Sequence, residues 1–102
     1  MGKGEAAVTA SASTQNLAIP ATRIRVRKNG IEFRSDHPVK VWTEMTLDFF
    51  SPFHSDRLQC KGVVVACSGN RHEGYLVALL FTHISETALQ VLTELHPPQL
   101  EN

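Results

Sequence analysis

The 102-residue chain lacks most of the features that announce a function. No run approaches the roughly 18 consecutive apolar residues of a membrane-spanning helix. Ten basic side chains balance ten acidic ones, so there is no bulk attraction to nucleic acid or acidic lipid. Cysteine is scarce: Cys60 and Cys67 are too few for a disulfide framework. On one extended strand their opposite parity points them to opposite faces, which disfavours a bridge. Two reduced thiols fit a cytoplasmic setting. The five histidines are scattered without metal-ligand spacing. No cysteine or carboxylate sits in a recognisable catalytic context. A non-enzymatic protein without metal or cofactor is expected.

What is present fits one small globular domain, at 42% hydrophobic and 20% charged residues. Residues 1–19 are rich in Ala, Ser, Thr and Gly and read as a flexible tail that buries too little to offset ordering entropy. The basic and apolar pattern of a secretory signal is missing there, and Ala6 stands where a myristoylation signal needs Ser or Thr. The domain is expected over 20–96, and 97–102 after Pro97 as a short tail.

From Thr22 the chain alternates. Ile24 and Val26 share one face, and Arg23, Arg25 and Arg27 the other, the period of a half-buried strand. Asn29-Gly30 reads as a hairpin turn whose two residues tolerate positive φ. The returning strand sets Ile31 and Phe33 inward and Glu32 and Arg34 outward. Val39 to Trp42 is a short apolar patch, a strand edge or a turn plug. Met45, Leu47 and Phe49 alternate along another strand. Leu58 to Ala66 follows, centred on Val63-Val64-Val65. After the polar loop Ser68 to Gly74, the continuously apolar Tyr75 to Phe81 reads as a strand buried on both faces. Ser85 is a helix N-cap, with Ile84 and Leu89 as a hydrophobic staple. Leu89, Leu92 and Leu95 form the stripe of a helix that stops before Pro97. About five strands and one helix suggest a mainly β fold, a small antiparallel barrel closed by a C-terminal α-helix.

The runs Asn29-Gly30-Ile31-Glu32-Phe33-Arg34-Ser35, Met45 to Phe49, Leu58 to Val64 and Gly74 to Phe81, in that order, resemble the PilZ domain over roughly Arg23 to Leu95. The resemblance implies a six-stranded PilZ-like β-barrel with a C-terminal helix in a bacterial cytoplasmic protein of second-messenger signalling. It also implies cyclic di-GMP as a possible ligand. The family's nucleotide motifs are Arg-x-x-x-Arg upstream and Asp/Asn-x-Ser-x-x-Gly on the first hairpin. Here Gly30 matches the glycine, but Arg25 and Arg27 stand at the Asp/Asn and Ser positions. Residues 1–22 contain no arginine, and Arg23-Ile24-Arg25-Val26-Arg27 falls on the second motif's strand.

The arginine row is the sharpest chemical feature. Guanidinium groups grip phosphate bidentately and stack on flat rings. Arg23, Arg25 and Arg27, with Asn70 and Arg71 of the polar loop, are the candidate ligand-binding residues. The alternatives are a solvated strand face paired with Glu32, an acidic protein surface, or an RNA backbone. Phe50 or Phe53 could protrude as a partner anchor. The resulting expectation is a regulatory or adaptor module that binds cyclic di-GMP. The second is a degenerate member that binds no nucleotide and docks a protein through the barrel surface. The third is a small-barrel RNA binder. Nucleic acid is the less favoured partner, and no membrane is expected.

Overall fold

The alternation of apolar and polar side chains that marks residues 24–35 recurs through most of the chain, and it folds accordingly. The computed structural model describes residues 7–13, 15–20, 23–50 and 57–95. Seven strands and one helix follow one another: β1 (Ala7–Ser11), β2 (Asn16–Pro20), β3 (Ile24–Val26), β4 (Gly30–Ser35), β5 (Glu44–Phe50), β6 (Arg57–Asn70), β7 (Gly74–His83) and α1 (Glu86–Leu95). They form one antiparallel sheet in the order β2-β1-β5-β6-β7-β4-β3. The sheet curls into a half-barrel. Its edge strand β2 comes back beside β4, and no ladder joins β2 to β3 among the described residues. The mainly β fold with a C-terminal helix is thus as the sequence indicates.

The concave face holds the core. Ile31, Phe33, Leu47, Val64, Val77 and Leu79 are all at most 2% exposed. The ribbon of residues 24–35 puts Ile24, Ile31 and Phe33 inward and leaves Arg25 and Arg34 in solvent. Met45, Leu47 and Phe49 are buried in alternation along β5. Helix α1 covers this face with Ala88, Val91 and Leu92, while Leu89 is half-buried. The buried stripe is therefore shifted from the expected Leu89, Leu92 and Leu95; the Leu95 side chain lies outside the described residues. Ser85 caps the helix as expected: its Oγ accepts the Ala88 N–H at 3.0 Å. Ile84 packs partly buried against the core.

Four further expectations are corrected. The expected tail over 1–19 contains β1 and β2, whose Val8, Ala10 and Ile19 lie in the core at 2%, 0% and 2% exposure. A hairpin of small residues closes the sheet beside β5, with Ala10 opposite Leu47. Small side chains there are buried in a paired strand all the same. These two strands account for the step from about five strands to seven. Residues 1–6 and the expected tail 97–102 lie outside the described part.

The turn expected at Asn29-Gly30 sits one residue earlier, at Lys28-Asn29, because Arg27 donates its N–H to the Gly30 carbonyl at 2.7 Å. Neither turn residue has positive φ. Gly30 is instead a strand residue pressed on β7, where an added Cβ would stand 1.9 Å from the Leu79 carbonyl oxygen.

Cys60 and Cys67 both face the concave side. Cys60 is opposite buried Leu47 and Cys67 opposite buried Val77. A register shift between Val64 and Ala66 leaves Val65 as an extra residue and reverses the parity. Both thiols are free. Finally, β7 is buried on one face only, with Leu76 and Leu80 exposed at 38% and 44%. The helix covers the concave face, and among the described residues no second layer covers the convex one.

Val39, at 2% exposure, plugs the end of the core. The chain then turns at Lys40 to Thr43, where Thr43 donates to the Lys40 carbonyl at 3.2 Å. Trp42 occupies the position that usually takes glycine, at φ 77° and 72% exposed. Such a conformation costs about 1–3 kcal/mol. Two backbone bonds hold it: Trp42 donates to the Val64 carbonyl at 2.6 Å, and Val64 donates to that of Thr43 at 2.9 Å.

Candidate functional site

Edge strand β3 carries the arginine row outward, and the row is already partly neutralised. Arg23 pairs with Asp36 at 3.6 Å, and Arg27 bonds Glu32 at 3.1 Å. These are surface pairs of small individual worth, yet each supplies the acidic group that the spacing demands. Arg25 lies across from Glu32 in the register. Because Ile24 pairs with Phe33 and Val26 with Ile31, Arg23 and Arg27 flank opposite ends of a three-residue strand.

The β6–β7 loop sits at the Arg23 end of the sheet, where Ser35 is opposite Tyr75. Asn70 is spent on the loop itself. Its Oδ1 accepts the N–H groups of His72 at 2.8 Å and Glu73 at 2.9 Å, and Gly74 closes the loop at φ 91°. Arg71 is exposed at the tip. The five expected residues therefore lie along one edge and one tip rather than around a shared cavity. A cleft of about 570 Å³ lies elsewhere, bordered by Ser11, Glu44, Thr46, Lys61 and His83. Phe53, with the Phe50 side chain, lies outside the described residues.

No known family, curated protein or solved structure matches this chain.

The convex face of β4, β7 and β6 holds what the sequence concealed. In cross-strand rows, Arg34 stands beside Leu76 and Ser68, Glu32 beside Ala78 and Ala66, and Gly30 beside Leu80 and Val63. Leu76, Ala78 and Leu80 thus run as an apolar strip down β7, with Leu76 and Leu80 open to solvent. Arg34 and the half-buried Glu32 border it on β4, and Arg25 lies one strand further out, across Glu32 on β3; Arg25 and Arg34 make no ion pair among the described residues. The strip was hidden in a run that reads as a doubly buried strand; only the absence of a second helical segment to cover its other face could have exposed it.

Among the described residues no three His, Cys, Asp or Glu side chains cluster as a metal site. No helix there is long and apolar enough to cross a membrane. Burial, and secondarily the Asp48 charge, push the Cys60 thiol from its ordinary 9.0 up to about 12. The folded state holds this proton more tightly than the unfolded chain. Its contribution is therefore complete below pH 9.0 and is lost as pH rises toward about 12. Stability should fall by up to about 1.4 kcal/mol per pH unit across that window. Urea unfolding at stepped pH checks this, and Cys60→Ala should flatten the slope. The same burial predicts that Cys67 reacts with a thiol reagent well before Cys60.

Proposed function

We propose that the chain is a PilZ-like, non-enzymatic adaptor module that docks a protein through the convex face of its sheet. The observation that carries this reading is the apolar strip Leu76-Ala78-Leu80, its two leucines exposed, with Arg34 beside it on β4 and Arg25 beyond Glu32 on β3. An apolar strip with cationic neighbours suits a partner surface that offers apolar side chains and carboxylates. Two further facts favour a protein over cyclic di-GMP. Arg23 and Arg27 already hold Asp36 and Glu32, and Asn70 is committed to its own loop. An RNA backbone finds no continuous cationic track on an edge whose arginines alternate with carboxylates.

The test uses the tagged full chain as bait in an extract of the organism that encodes it. A protein retained by the wild type and by Arg23→Ala/Arg27→Ala, but lost with Leu76→Glu/Leu80→Glu, supports the reading. Both leucines are exposed, so circular dichroism should remain unchanged. Equal retention by the glutamate variant contradicts it.

A further inference from the structure

Strand β6 outruns its neighbour. The β5 ladder ends at Glu44 opposite Val63, whereas β6 continues to Asn70. From Ala66 to Asn70 it has β7 on one side. On the other side neither a strand nor a loop backbone meets it among the described residues. Val64 shows which groups face that side, since its N–H and C=O both engage the 42–43 backbone there. Past the extra residue at Val65, strand alternation turns the N–H and C=O of Cys67 and Gly69 to the same open side.

An open edge is a template for another strand, and proteins blunt it with charge, proline or a bulge that twists it away. The segment Val65-Ala66-Cys67-Ser68-Gly69-Asn70 carries no charge and no proline; its irregular points are the extra residue at Val65, where it begins, and Gly69 at φ 126°. All but the half-buried Cys67 are exposed.

We propose that the chain forms a two-fold symmetric dimer in which this open side of β6 pairs antiparallel with the same segment of a second copy, Ser68 facing Ser68 at the axis. That register lets Cys67 and Gly69 of each copy exchange about four backbone hydrogen bonds. Because the segment is uncharged, self-pairing opposes no like charges. The formal net charge of zero adds no long-range repulsion between copies. Beyond the paired segment, the turn that carries Arg71 in one copy comes to the end of the edge where the other copy's Trp42 is 72% exposed and anchored by its N–H to the Val64 carbonyl. A guanidinium over an indole is attractive, and the symmetry makes the contact twice. This inference is independent of convex-face docking, because the readout is the mass of the purified chain with no other protein present.

Sedimentation equilibrium of the full chain should give about twice the 11.3 kDa chain mass. Ser68→Lys, which adds an exposed charge harmless to the monomer but brings two ammonium stems together at the axis, should return the mass to one chain. In a Cys67→Ala background, Ser68→Cys should oxidise to a covalent dimer. The facing Cα atoms of such a pair are about 4.5 Å apart, within disulfide reach. Val65→Cys in that background should not. A single-chain mass at all concentrations, a dimer indifferent to Ser68→Lys, or crosslinking as efficient from position 65 as from 68 would each overturn the proposal.

Discussion

Phe33→Ala is expected to remove about 3–5 kcal/mol of stability, the cost of emptying a fully enclosed aromatic site. Phe33 is 0% exposed and stands between Ile24 on β3 and Val77 on β7. It therefore ties the edge ribbon to the centre of the sheet. Domains of this size are stable by about 5–15 kcal/mol, so the loss takes a large share of the total. Urea unfolding should show the midpoint fall steeply. Arg25→Ala, on the opposite face of the same ribbon, should stay within about 0.5 kcal/mol. Comparable losses from both would mean that the ribbon's faces are assigned the wrong way round.

Gly30→Ala should be nearly as damaging, for a different reason. The added Cβ would lie 1.9 Å from the Leu79 carbonyl oxygen and 3.0 Å from the Leu80 Cα. Those atoms belong to the backbone of β7 and cannot swing aside as a side chain would. Overpacking costs typically about 1–3 kcal/mol, and a backbone neighbour places this site at the upper end. A loss of about 3 kcal/mol corresponds to a fall in Tm of at least about 12 °C. The substitution also separates two roles for the glycine. If left-handed backbone were needed, Gly30→Asn would be tolerated. Close approach to β7 makes asparagine as harmful as alanine, and thermal unfolding of the two variants decides between them.

Much of the fold is legible in the sequence because period-two alternation is imposed directly by a sheet with one buried face. Residues 24–35 and 45–49 carry that pattern plainly, and Ser85 marks the start of the helix. The N-terminal hairpin is hidden because its inward positions, Val8 and Ala10, are small where β1 lies against β5. Composition alone then resembles an unstructured tail. The facing of Cys67 is hidden by a bulge, since one extra residue at Val65 reverses every later side chain. Strand β7 misleads for a third reason. Its outward Leu76 and Leu80 are as apolar as its inward Val77 and Leu79, and hydrophobicity does not say whether a second layer exists. The arginine row is visible at once, but its partners are not all so: Glu32 is close in sequence to Arg27, while Asp36 meets Arg23 only after the ribbon folds back.

The central functional proposal is that Arg23 and Arg27 are engaged with the protein's own Asp36 and Glu32 and that the module docks a protein rather than a nucleotide. Calorimetric titration of the full chain with cyclic di-GMP tests it most directly. The account predicts no saturable heat through the micromolar range, for the wild type and for Arg23→Ala/Arg27→Ala alike. Saturable micromolar binding by the wild type that disappears in the double variant would contradict it.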